Sequence, residues 1–193
     1  MKDWLITDTH FDNDEIGVYC DRPDGWMDKI IRFWRQMVKP EDLVIHLGDV
    51  QVGKGQPLKE LMDSLPGIKI LTLGNHDTHS PTWYMRNGFA FACTMMVYKG
   101  VTLSHYPQGS LMYGTDLNVH GHTHNSVWRP SRPFQRLLAI EHTNYMPVDF
   151  AKWTNMARSP QKWAEYMKRW KIPVIEGKVR NAKITEVQSS PVE

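Results

Sequence analysis

The side chains that could carry chemistry stand in five short blocks: Asp8-Thr9-His10, Gly48-Asp49, Gly74-Asn75-His76-Asp77, His105, and Gly121-His122-Thr123-His124. From these blocks Asp8, His10, Asp49, Asn75, His105, His122 and His124 make a set of two carboxylates, one amide and four imidazoles, with no thiolate. Such oxygen and nitrogen donors suit Mn²⁺, Fe, Zn²⁺ or Ni²⁺, and so much imidazole argues against a dedicated Ca²⁺ site. Seven donors exceed one tetrahedral site. Two cations sharing a bridging carboxylate, roughly 3.5–4 Å apart, would use them all. Their charge of about +4 against about −2 from the carboxylates would attract a phosphate, and a water between them would ionise near neutral pH.

These blocks need elements that end where they begin. Trp4-Leu5-Ile6 and Leu43 to Leu47 are short apolar runs that stop at the first two blocks, and Ile68 to Leu73 stops at the third. Each reads as a buried strand. Between them, Met27, Ile30, Ile31, Trp34, Met37 and Val38 recur at helical spacing after Asp24 as cap and before Pro40. Pro57 opens a second helix carrying Leu58, Leu61, Met62 and Leu65. Strand, helix, strand, helix, strand favours parallel strands joined by right-handed crossovers, which bring the carboxyl ends, and Asp8, His10, Asp49, Asn75 and His76 with them, to one edge. A helix is expected near Pro81 to Asn87. Strands are expected over Cys93 to Tyr98 and Val101 to Ser104 around a Lys99-Gly100 turn, then Leu117 to Val119 and Leu137 to Ile140. His46 and His120 lie inside strands and read as packed histidines, outside the site.

The five blocks, in this order and each at a strand end, resemble the signature blocks of calcineurin-like metallophosphoesterases over residues 3 to about 148. Arg22-Pro23, His46-Leu47-Gly48-Asp49 and Ser104-His105-Tyr106-Pro107 look like the small stand-alone members of bacteria and phages. The resemblance implies an α/β fold in which two mixed β-sheets pack as a sandwich flanked by helices. It implies two divalent metal ions, Mn²⁺ leading and Fe, Zn²⁺ or Ni²⁺ as the other candidates. One would be held by Asp8, His10, Asp49 and His124, the second by Asp49, Asn75, His105 and His122, with Asp49 as bridge. It also implies in-line attack of a metal-bridging hydroxide on phosphorus, with His76 as general acid.

Three departures narrow the transfer. Many family phosphatases carry an aspartate three positions after the bridging one, paired with the catalytic histidine, and here that position is Val52. Asp77 stands next to His76 without an assigned task. The Gly-Asp-x-Val-Asp-Arg-Gly pattern of protein and dinucleoside polyphosphate phosphatases is absent, since the chain reads Gly48-Asp49-Val50-Gln51-Val52-Gly53, and Asp12-Asn13 replaces the Gly-His of small members. The leaning is therefore to a phosphate-ester small molecule, a phosphodiester of nucleotide type. A nuclease, or a non-catalytic binding module on the same fold, is the alternative.

Composition is consistent with these readings. The 193 residues, 41% hydrophobic, suit one domain, with a catalytic core over 1–150 and a C-terminal helix and basic extension over 151–193. A formal charge of +2 is weak support for a polyanionic partner. Cys20 and Cys93 read as reduced thiols, and no apolar run approaches the roughly 20 residues of a membrane span, so a cytoplasmic location without a membrane partner is expected. From Lys152 to Lys183 nine Lys or Arg face Glu165 and Glu176, with Trp153, Trp163 and Trp170 interspersed. This could grip nucleic acid, but Pro160 opens a helix with Trp163, Tyr166, Met167 and Trp170 on one stripe, which favours a packed helix with a solvated basic face. The sequence leaves the oligomeric state open.

Overall fold

A computed structural model describes residues 1–53, 55–125 and 130–171. The three apolar runs form β1 (Asp3–Ile6), β2 (Leu43–His46) and β3 (Ile68–Thr72), mutually parallel and in register, with Ile6 opposite His46 and His46 opposite Leu71. Because the strands end level, the polar blocks after them emerge at one edge. β4 (Phe91–Cys93) adds in parallel beside β3, and β9 (Val148–Asp149) adds antiparallel beside β1, giving a five-stranded mixed sheet in the order β4-β3-β2-β1-β9. The second sheet is β5 (Met95–Tyr98), β6 (Val101–Ser104), β7 (Leu117–His120) and β8 (Gln135–Leu137) in sequence order, antiparallel between β5 and β6 and parallel thereafter.

Period-two alternation assigns each strand residue to a layer. Trp4, Ile6, Val44 and Leu71 point to the helices, where Trp26, Ile30 and Trp34 of α2 (Trp26–Met37) and Leu58, Leu61 and Met62 of α3 (Leu58–Ser64) cover them. Leu5, Ile45 and Ile70 point the other way, onto Val101, Leu103, Val119 and Leu137 of the second sheet. This is two mixed sheets face to face with helices outside, as the resemblance implied.

Several elements differ from the sequence reading. α1 (Asp14–Tyr19) was not expected; Asn13 caps it by accepting from the Glu15 amide. α2 begins at Trp26 behind Gly25, whose φ of 70° makes the turn, so Asp24 lies outside the cap position. Pro57 is the cap of α3 and not its first turn. α4 (Pro81–Arg86) forms as expected. The run through Cys93 is two strands: β4 ends at Cys93 in the first sheet and β5 starts at Met95 in the second, so the chain changes sheets at Thr94. Pairing and not composition makes that break. The strand expected over Leu137 to Ile140 stops at Leu137, and Ile140–Thr143 forms a 3₁₀ turn closed by His142 N–H to Ala139 O at 3.0 Å.

After β9 the chain enters α5 (Phe150–Arg158) and α6 (Pro160–Arg169), capped by Asp149 and Ser159. Phe150, Trp153, Ala157, Trp163 and Met167 are buried in the same core as the facing sheets. The tryptophans near the C-terminus are therefore packing residues. The strand or hairpin expected over Lys178 to Val187, and Trp128, lie outside the described residues. Among the described residues no helix is long and apolar enough to cross a membrane.

Candidate metal centre

The first sheet delivers Asp8, His10, Asp49 and Asn75 just past its strand ends, and the second delivers His105, His122 and His124. All seven meet at the shared edge of the two sheets. Asp8, His10 and His124 form one group whose ligand atoms lie within 4.8 Å of one another, and Asp49, His105 and His122 form another. Asp49 Oδ2 lies 3.4 Å from His10 Nε2 and 3.3 Å from His105 Nε2, so its carboxylate stands between the groups. Asn75 Oδ1 lies 2.9 Å from His105 Nε2 and 3.0 Å from His122 Nδ1, and these two nitrogens are 3.2 Å apart.

Backbone geometry is unusual here. Asp8, His10, Asp49, His122 and His124 all have φ between 48° and 72°. Left-handed backbone costs a non-glycine residue roughly 1–2 kcal/mol, and its concentration in ligand-type residues marks a site rather than an accident of turns. Two glycines make the crowding feasible. A Cβ on Gly74 would lie 2.1 Å from Asp49 Oδ1, and one on Gly121 would lie 2.3 Å from Asp8 Oδ2. Gly74 has no positive φ, so it supplies clearance for the carboxylate and not the turn freedom its place suggests.

The donor chemistry tests whether cations fit. His105 Nδ1 lies 2.9 Å from the Leu47 carbonyl, which can only accept, so this nitrogen carries the proton and a neutral ring has its lone pair on Nε2. That lone pair faces Asn75 Oδ1, Asp49 Oδ2 and His122 Nδ1 at 2.9–3.3 Å. Acceptors crowded on acceptors repel unless a cation sits among them. Donors at about 2.1 Å from one ion and at right angles stand about 3 Å apart, which is the spacing found. Both ring nitrogens of His10 are buried and lack a hydrogen bond. The residues fit metal ions.

Electrostatics agree. Burial would raise the Asp49 carboxyl, but the close imidazoles of His10 and His105 outweigh it and hold the group well below the usual carboxylate range. Burial would lower His124, yet Asp8, Cys20 and Glu141 together push it up to about 11. The pocket is short of positive charge. His46 and His120 behave differently, since burial lowers both to about 3 and keeps them neutral. His46 Nδ1 accepts from Gly48 N–H at 3.2 Å and its Nε2 meets Thr9 Oγ1 at 2.9 Å, a packed arrangement behind the ligand loops.

His76 is exposed at the mouth of the cluster, edge-on to the His10 ring at 5.1 Å, with its backbone N–H donating to Asp49 Oδ1 at 2.8 Å. Asp77, next to it, points inward. Its carboxylate accepts from the amides of Asp49 at 2.7 Å, Gly74 at 2.8 Å and Val50 at 3.1 Å, lacing two ligand loops together. Burial raises its pKa against these three bonds. Val52, where an orienting carboxylate could stand, is part of the wall of a cleft of about 430 Å³ that runs from His76 past Gln51, Pro57, His79 and Trp83.

Two buried residues behind the cluster escaped the sequence reading of the site. Arg22 was visible only as a mark of resemblance, and Glu141 fell just past the strand expected over Leu137 to Ile140; they bond to each other across 119 positions. No local pattern announces such a pair.

Two facing mixed sheets with Asp, Asn and His side chains gathered at one edge define a metal-dependent phosphoesterase. Comparison with known proteins agrees: the calcineurin-like phosphoesterase profile matches residues 1–178, and the chain belongs to that family. That match runs about 30 residues past position 148, where the resemblance read from the sequence ended, through α5 and α6. An uncharacterized protein of Methanocaldococcus jannaschii is 30% identical over 162 residues, covering 76% of this chain and 86% of that one. A crystal structure of a protein of unknown function from Aquifex aeolicus is similar in fold, with a TM-score of 0.61, 24% identity, and coverage of 80% of this chain and 98% of that one.

Proposed function

We propose that the chain hydrolyses phosphodiesters of nucleotide type, with two divalent cations held by Asp8, His10, Asp49 and His124 and by Asp49, Asn75, His105 and His122. Mn²⁺ is the leading candidate. The observation that carries this reading is the acceptor cluster in which Asp49 Oδ2 stands 3.3–3.4 Å from an imidazole nitrogen of each group, with His76 exposed beside it. When bound, the cations supply positive charge for the phosphate oxygens and lower the pKa of a water to near neutrality.

The chain's own residues do the rest. Asp49 spans both donor groups, and its position is fixed from behind by the amides that Asp77 and Asp49 itself receive. His105 is turned toward the cluster by the bond from Nδ1 to Leu47. His76 stands at the rim, where its imidazole can hand a proton to a departing alkoxide. A diester leaves an alkoxide that needs this proton. The cleft beyond His76 is lined by Trp83, Pro57 and Val52 together with the amide of Gln51, which suits a leaving group with a flat apolar body and polar edges.

The test is a panel of aryl mono- and diesters, cyclic nucleotides and oligonucleotides offered to stripped protein reloaded separately with Mn²⁺, Ni²⁺ or Zn²⁺. Turnover of small diesters is expected, and silence on every ester with every metal would overturn the reading. The substitution His76→Ala should lower kcat by roughly 10²- to 10⁴-fold with metal content unchanged.

A further inference from the structure

Arg22 and Glu141 lie directly behind one half of the cluster. Arg22 is buried, its guanidinium 4.4 Å from the Trp26 ring, and it donates Nη2 to Asp8 O at 2.8 Å and Nη1 to Thr9 O at 3.2 Å. Its Nε and Nη2 donate to Glu141 Oε1 at 2.9 and 2.7 Å. One guanidinium thus grips the backbone of the first ligand block and the carboxylate of the 3₁₀ turn. The same Glu141 Oε1 lies 3.2 Å from His124 Nδ1, and the side chain is only 6% exposed.

The donor inventory fixes the direction of that contact. Both protons of Arg22 Nη2 are already committed, to Asp8 O and Glu141 Oε1, so the 3.4 Å approach of Nη2 to His124 Nδ1 has no proton left for it. His124 Nδ1 is therefore the donor and Glu141 the acceptor. Cys20 is also within reach of this pair, but a thiol is a weak partner beside a carboxylate. In the neutral ring that binds a cation, the proton on Nδ1 leaves the Nε2 lone pair on the side of Asp8, whose Oδ1 is 3.8 Å away. In the other half, His105 has a neutral carbonyl behind it. Of the cluster's imidazoles, His124 alone has an ionised carboxylate hydrogen-bonded behind it among the described residues.

We propose that Arg22 and Glu141 are a positioning pair for one half of the centre: Arg22 holds Glu141 in place, and Glu141 fixes the tautomer and ring orientation of His124 toward the Asp8–His10 side. A carboxylate behind a ligating imidazole also makes it a stronger donor, and loss of such a partner costs 10- to 100-fold in metal affinity. The effect falls on the Asp8–His10–His124 half and spares the Asn75–His105–His122 half. This inference rests on the reading of the cluster as a metal centre.

The experiment is calorimetric titration of metal-stripped, full-length protein with Zn²⁺, alongside His124→Ala and His122→Ala, which identify each half by the binding it loses. Glu141→Gln should weaken binding roughly 10- to 100-fold at the half that His124→Ala removes, with the other half unchanged and a cooperative melt retained in chelator at a lower temperature. Equal weakening of both halves, or of neither, overturns the proposal and leaves the metal centre standing; no Zn²⁺ binding by wild type overturns both. Should the Gln variant fail to fold, nitrogen-15 spectra of the Zn²⁺-loaded wild type decide the matter. A proton on His124 Nδ1 supports the pair, and a proton on Nε2 overturns it.

Discussion

Gly74 and Asp77 bracket Asn75 and His76, to which the proposed chemistry is assigned, and neither is given a part in that chemistry itself. Gly74 leaves the space that the Asp49 carboxylate fills, and Asp77 takes the three amides that hold the loops around it. Gly74→Ala would put a methyl group 2.1 Å from Asp49 Oδ1, against rigid backbone on one side and a shared ligand on the other. The variant is expected to keep its circular dichroism spectrum, to lose most of its bound metal after gel filtration, and to fall at least about 100-fold in turnover, since a ligand misplaced by about 1 Å costs that much. Asp77→Asn should lower stability on the order of 2 kcal/mol in a denaturant melt, because one carboxylate oxygen is replaced by a donor facing amide donors. At this scale the sequence was informative about ligand types, because Asp-x-His and Gly-His-x-His set their own local spacing. It was silent on the roles of Asp77, Arg22 and Glu141, which rest on bonds such as Val50 to Asp77 and Arg22 to Glu141 that span 27 and 119 residues.

The elements explain why those residues meet. Three parallel strands level at their carboxyl ends were legible from three short apolar runs, each stopped by a polar block. The break at Thr94 was not legible, since Phe91 through Tyr98 is β-prone throughout and only pairing divides it between sheets. The 3₁₀ turn over Ile140–Thr143 was missed for a similar reason: Leu137 to Ile140 has strand composition, and tertiary packing bends it so that Glu141 faces Arg22. α6 tests the packing claim for the C-terminal region. Its Trp163 is 7% exposed and stacks on Tyr166 at 5.0 Å, with the Arg136 guanidinium 4.9 Å from its ring. Trp163→Ala should cost about 3–5 kcal/mol in urea unfolding, whereas an exposed nucleic-acid platform would lose almost none.

As a whole molecule, the protein is a hinge-like seam between two sheets whose polar ends face one another. Each sheet supplies part of the seven-donor set proposed for the centre. Ions bound there tie the sheets together, and chelation should lower the melting temperature by an amount that grows with the metal concentration removed. At a free metal level 1,000 times the dissociation constant the difference is about 4 kcal/mol, read as the gap between melts with metal and with chelator. The left-handed backbone at Asp8, His10, Asp49, His122 and His124 bears on which ion arrives. Left-handed backbone at five donor positions leaves those loops few alternative conformations, so the chain itself narrows where the donors can stand. Mixed oxygen and nitrogen donors accept more than one first-row divalent ion, so supply in the surroundings joins geometry in deciding which ion such a site takes up.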